Sequence, residues 1–177
     1  MNSNTSTAES NLITSIETIV AIILKETRIE KRIHQAQLAD YLSKSASSLA
    51  KIENFQTSIG IDSLYAMCQA LNVIGSSVLA AAERYAQLLN SSGWIVVRSK
   101  PEEDRLAKEA LAYYNSPGFK RRTSSPMTLV MNNILSGPTY WQGGAVTMPD
   151  VFNFVLHVDF RSSQLNPNFP PAFGSTI

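Results

Sequence analysis

Five apolar stripes at helical spacing, crowded into residues 15–90, constrain this chain more than any other feature. Ile16, Ile19, Val20, Ile23 and Thr27 recur at three- and four-residue steps, which predicts an amphipathic helix from about Ser15 to Arg32, with Thr14 and Glu17 spaced for a capping box. A short helix follows with Leu38, Ala39 and Leu42 inward, and a third begins after Ser45, a good N-cap, with Leu49 and Ile52 inward. Only two or three residues separate them. Ile61, Leu64, Tyr65, Cys68 and Leu71 predict a fourth helix. Val78, Ala82, Tyr85 and Leu89 predict a fifth, for which Ser76 or Ser77 is the cap. Residues 15–90 thus read as an all-α five-helix unit.

The pattern changes at Asn90-Ser91-Ser92-Gly93, a cluster of turn formers. Trp94 to Val97 reads as a short strand, and Glu102 to Tyr114, opened by Pro101 and acidic in its first turn, as a helix. Asn115-Ser116-Pro117-Gly118 is a turn, followed by a basic loop at Lys120-Arg121-Arg122. Thr128 to Leu135 is strand-like, with a turn at Ser136-Gly137-Pro138. Phe152, Phe154, Leu156, Val158 and Phe160 alternate with Asn153, Val155, His157 and Asp159, which predicts a strand with one apolar face. The expected organisation is a loose tail over residues 1–14, the helical domain over 15–90, a small α+β dimerisation or sensing domain over 91–161, and an irregular tail over 162–177.

Composition narrows the function classes. The chain's 177 residues suit one ordinary domain or two small ones, and 44% hydrophobic with 16% charged residues places it among globular proteins. A net charge of +1 supplies no global attraction for nucleic acid or anionic lipid, so such binding needs a local patch. The single Cys68 allows neither an intrachain disulfide nor a cysteine metal cluster; burial in a reducing cytoplasm is the expectation. Ser63 to Ala82 is uncharged, but Gln69, Asn72, Gly75, Ser76 and Ser77 interrupt it, so two short helices fit better than a membrane span.

Residues 24–73 carry the chemistry. Gln35, Leu38 and Ala39 in RIHQAQLADYL, Ser45, Leu49, Ile52 and Glu53 in SKSASSLAKIEN, and Ile61, Leu64, Ala70, Leu71 and Val73 beyond them resemble the phage-repressor, Xre/Cro-like helix-turn-helix family. The likeness spans about fifty residues and leaves the rest of the chain unassigned. In physical terms, a small Ala39 lets two helices cross closely while Leu38, Leu49 and Ile52 fill the space between them, leaving the third helix as a projecting rod that fits the major groove. The resemblance implies a DNA-binding set of Gln35, Ser45, Ala46, Ser47, Ser48, Lys51, Asn54 and Gln56. In it Gln35 meets phosphate and supports the reading helix, Ala46, Ser47 and Ser48 face the bases, and Lys51, Asn54 and Gln56 hold the strand. The chain departs from the family pattern at His34, where a Ser or Thr cap is usual, at Phe55, where Gly is common, and at Gly60, where Ser is frequent.

Taken singly, Gln35 and Lys51 are ordinary solvated residues, and only the spacing of the whole motif raises them. Lys120-Arg121-Arg122 is more often a solvated loop than a phosphate grip. Trp94, Trp141 and the Phe row suit a core or a dimer interface better than a ligand box. The self-cleaving Ser/Lys peptidase of some family members would need an Ala-Gly or Cys-Gly bond, and neither occurs; no cofactor, metal or catalytic site is expected. These features describe a cytoplasmic transcription regulator, such as a repressor, that binds double-stranded DNA as a homodimer on an inverted repeat. The dimer contact falls either on the fifth helix or on the strand around Phe154, unless these are internal core. The rival reading is an antitoxin or adaptor whose C-terminal half binds a protein partner; a ligand-gated regulator would need an apolar pocket with a few polar groups.

Overall fold

The computed structural model describes residues 11–124 and 133–168. Strand β1 (Ile13–Ser15) leads into α1 (Ile16–Glu30), α2 (Gln35–Tyr41), α3 (Ala46–Glu53), α4 (Ile61–Ala70) and α5 (Gly75–Ser91). There follow β2 (Ile95–Val97), α6 (Arg105–Tyr114), α7 (Pro117–Ser124), a 3-10 turn at Ile134–Ser136, the hairpin β3 (Thr139–Tyr140) and β4 (Val146–Thr147), α8 (Asp150–Leu156) and α9 (Val158–Leu165). The architecture is an all-α helix-turn-helix unit followed by a small α+β region.

Helix α1 is the centre of the molecule. Every residue from Thr18 to Thr27 is buried, so the helix has no solvent face over that stretch. It packs most extensively on α5 and also touches α3, α6 and the Ile134–Ser136 turn. The apolar core runs without a break from Ile19 and Leu24 through Tyr85 to Tyr113, Phe152 and Phe154, with the Tyr85 and Phe152 rings stacked at 4.2 Å. The sequence change at residue 90 therefore marks a change of pattern along the chain, while the core is shared across it.

One carboxylate joins the two ends of this core. Asp104 caps α6 by accepting from Ala107 N at 3.0 Å, and it also accepts from the hydroxyls of Thr14 at 2.9 Å and Thr18 at 2.6 Å and from Ser15 N at 3.3 Å. Thr14 is thus engaged across the fold rather than in a capping box, and Ser15 is the α1 cap, accepting from Thr18 N at 3.2 Å. Ile13 and Thr14, expected in the tail, lie in β1, which pairs in parallel with β2 in the register Ile13 to Ile95 and Ser15 to Val97. Residues 1–10 of the expected tail lie outside the described residues.

Successive helices stop by one device. Arg32, Ser43, Phe55, Asn72 and Gly93 each have positive φ, and the next residue's N–H bonds back five residues, as from Ile33 to Arg28, Lys44 to Ala39, Gln56 to Lys51, Val73 to Cys68 and Trp94 to Leu89. This explains why Gly is common at the Phe55 position. Here Phe55 takes a φ of +60° with its side chain buried in the core.

Several expectations are corrected. Val151, Phe152, Phe154 and Val155 are the buried residues of α8, a helical stripe that an alternating reading hides. His157, extended at φ −121°, breaks the helix, and Arg161 of α9 donates to the carbonyls of Phe154 and Val155, so Phe152 to Phe160 form two helices and no strand. Residues 162–165, expected to be irregular, belong to α9. The supposed basic loop is α7, begun by Pro117 at a first helical position, with Ser116 Oγ accepting from Phe119 N. Ile74 precedes α5 and neither Ser76 nor Ser77 caps it, while Ile61 and Tyr65, expected inward, are exposed. Most of the Thr128–Leu135 strand lies outside the described residues; its end enters the 3-10 turn. Among the described residues no single helix is long and apolar enough to cross a membrane.

Two predictions follow from α1 and its surroundings. Asp104→Ala removes a cap and the tie to β1 and α1 together, and should cost about 2 kcal/mol in urea denaturation. Burial pushes the Glu30 carboxyl up to about 7 from 4.5, although Ile134 N donates to it at 3.0 Å. The folded chain then holds a proton that the unfolded chain releases, so this contribution to stability is complete below about 4.5 and lost as pH rises through about 7. Glu30→Gln, which keeps the acceptor, should flatten the decline in stability measured between about pH 5 and about pH 7.5.

Candidate nucleic-acid interface

Helices α2 and α3 stand on the end of α1. Leu38 and Ala39 of α2 and Leu49 and Ile52 of α3 are buried between them, with Ala39 small enough for the close crossing. Ser45 caps α3 by accepting from Ser48 N at 3.1 Å, and its hydroxyl also bonds those of Ser47 at 3.0 Å and Ser48 at 2.8 Å. The α3 N-terminus is thereby a small cluster of mutually bonded hydroxyls facing water.

With the inner side filled, the outer side is defined. Ser45, Ala46, Ser47, Ser48, Lys51 and Gln56 are exposed; Asn54 and Gln35 are half-buried. No large side chain stands on the first turn of α3, so the backbone of that turn can approach a groove closely. Lys44, exposed in the turn before α3, adds a cation that the sequence reading did not assign.

The inner end of α3 is held by charge. Arg28 of α1 meets Glu53 with two parallel bonds, from Nε to Oε1 at 2.5 Å and from the outer guanidinium nitrogen to Oε2 at 2.8 Å. Gln35 Nε2 donates to the same Oε2 at 2.8 Å, and the remaining Arg28 nitrogen donates to the carbonyl of Ile33 at 2.9 Å. The Glu53 side chain is 1% exposed and that of Arg28 12%, so the pair is almost wholly buried and its bidentate bonds orient it. Helices α1, α2 and α3 therefore meet at one carboxylate. Gln35, assigned by resemblance to phosphate and to support of the third helix, donates through its amide to the Glu53 carboxylate.

Two further ties reach this end. Lys25 Nζ donates to the Glu53 carbonyl at 3.2 Å and lies 3.8 Å from the centroid of the Tyr114 ring of α6. Lys100, after β2, donates to the carbonyl of Phe55. Desolvation lowers the Lys25 pKa to about 8, a fall that the nearby Glu53 charge resists. The sequence reading missed Lys25, Arg28 and Lys100 as positioning groups. Its available signal was a run of charged residues, Lys25, Glu26 and Arg28, on a helix too apolar to be solvated on all sides.

Residues 24–74 match the family model described as helix-turn-helix, a family of DNA-binding regulators. Nothing is recognised in the C-terminal half. Neither the curated proteins nor the solved structures contain a match to the chain.

The arrangement predicts unequal effects at Glu53. Glu53→Ala leaves Arg28 buried without its partner and should cost about 3 kcal/mol in urea denaturation, whereas Glu53→Gln, which keeps an acceptor, should cost about half as much.

Proposed function

We propose that the protein is a cytoplasmic, sequence-specific transcription regulator that inserts the N-terminal end of α3 into the DNA major groove and acts as a dimer on an inverted repeat. The observation that carries this reading is a solvent-facing row of small polar side chains on α3, backed by a buried bidentate ion pair that fixes the helix from behind. In this reading Ala46, Ser47 and Ser48 face base edges. Lys51, Asn54 and Gln56 contact the backbone, Gln35 meets phosphate with what its amide has left, and Ser45 presents the turn.

Small reading groups give weak base discrimination, so DNA shape and half-site spacing carry much of the choice. Both surfaces first considered for a dimer are internal: Val78, Ala82, Tyr85, Leu89 and Phe154 are buried. A surface open to a second copy is the exposed apolar set on α4 and just before α5, with Ile61 and Tyr65 one turn apart, Ile74 exposed beside Gly75, and the Tyr65 ring against Gly75. The rival reading, an antitoxin or adaptor, draws on Tyr140 and Trp141, which are exposed on the β3–β4 hairpin where a protein partner would reach them.

Salt-dependent anisotropy titrations test the assignment. Lys51→Ala should weaken binding to specific and random duplexes alike and reduce the salt slope by about 1. Ser47→Ala should alter the ranking of sites while leaving the slope unchanged. Equal loss by both variants on every duplex, with the same slope, would contradict the proposed face.

A further inference from the structure

A cleft of about 850 Å³ lies between the helix-turn-helix unit and the C-terminal half. Its walls differ in chemistry. One side carries Lys25, Arg28 and Arg32 of the α1 end, and the other has an apolar patch of Leu111 and Phe119 bordered by the polar Asn115, Thr123 and Ser124. Among the described residues the only carboxylate of the lining is Glu53, whose oxygens are already taken by Arg28 and Gln35. The charge of Glu53 is thus spent on Arg28 rather than on Lys25, and the volume suits a small organic molecule.

Lys25 gives the cleft its direction. Its side chain is buried, yet among the described residues no carboxylate reaches salt-bridge distance of Nζ, which has a carbonyl and an aromatic ring as its partners. A buried ammonium is stable when an anion compensates it, and a carbonyl and a ring compensate it only in part. The depressed Lys25 pKa expresses the same deficit.

We infer that this cleft binds a small organic carboxylate with an apolar body, its carboxylate on Lys25 and its body against Leu111 and Phe119. The occupant touches the groups that fix α3, since Arg28, Gln35 and Glu53 line the same space. Binding therefore changes the setting of the reading helix. This coupling rests on the proposed DNA-binding function; the ligand site itself does not.

The test begins without DNA. The full chain is titrated by calorimetry and thermal shift with phenylacetate and indole-3-acetate, with phenylacetamide as the neutral match and with inorganic phosphate as the bare anion. Saturable binding and a raised Tm with the two carboxylates only are expected. Lys25→Met, which replaces the ammonium with an apolar chain of similar length, should weaken them at least tenfold. Asn115→Trp, at the exposed rim, should block them while leaving Lys25 intact. Any of three results overturns the site: no binding by either carboxylate, equal binding by the amide or phosphate, or unchanged binding in Lys25→Met. DNA affinity is then measured with and without the bound carboxylate. A change of threefold or more supports the coupling, and an unchanged affinity refutes it while the site stands. Absence of DNA binding at any ligand concentration refutes the functional reading instead.

Discussion

A helix buried on every side from Thr18 to Thr27 must settle the charges of that stretch inside the protein. Helix α1 does so in two directions, joined by Arg28 and Glu30 of its half-buried last turn. Toward α3 it sends Lys25 and Arg28, which meet the carbonyl and carboxylate of Glu53. Toward the C-terminal half it sends Glu26 and Glu30. Glu26 takes a bond from Arg122 of α7 at 2.7 Å, and Arg122 also donates to Tyr113 at 2.9 Å; Glu30 accepts from Ile134 N. These contacts span 96 and 104 residues of chain, so they do not form until the two halves are folded together. Buried pairs contribute little net stability when intact, but removal of either partner costs several kcal/mol, which makes them geometric constraints more than sources of stability. The orientation of α3 and the docking of the C-terminal half thus depend on one fifteen-residue segment.

That dependence has a functional side. The family match ends at residue 74, but the environment that holds α3 does not: Tyr114 sits over Lys25, and Lys100 bonds the Phe55 carbonyl just beyond α3. Residues outside the matched segment therefore help to set the presentation of a surface inside it. The surface itself is chemically plain, with hydroxyls that bond one another as readily as a base edge. Under the proposed DNA-binding role, selectivity would come from where α3 is held, which joins the buried scaffold and the small exposed residues of α3 in one design.

The helical unit was legible because its information is local. Stripes at helical spacing, Ser45 before α3 and the small Ala39 at the crossing are all confined to short windows of sequence, and the motif resemblance picks out nearly the same residues as the family model. The C-terminal half was less legible because its cues conflict. Alternation through Phe152 to Phe160 masks the α8 stripe at Val151, Phe152, Phe154 and Val155, and Pro117-Gly118 reads as a turn where Pro opens a helix. The scaffold around the site was hidden for another reason. Arg28 with Glu53, Glu26 with Arg122 and Asp104 with Thr14 and Thr18 are long-range pairs, and nothing in the local sequence at one partner names the other.

The proposed function requires that α3, held by α1 through Glu53, reads DNA. Selection of bound fragments from a random duplex pool by the full chain at physiological salt, with Glu53→Gln and Lys51→Ala run beside it, tests this most directly. The account predicts an enriched inverted repeat with half-sites about one helical turn apart, lost in Lys51→Ala and weakened in Glu53→Gln. No enriched motif from folded protein, or one that both variants recover unchanged, would contradict it.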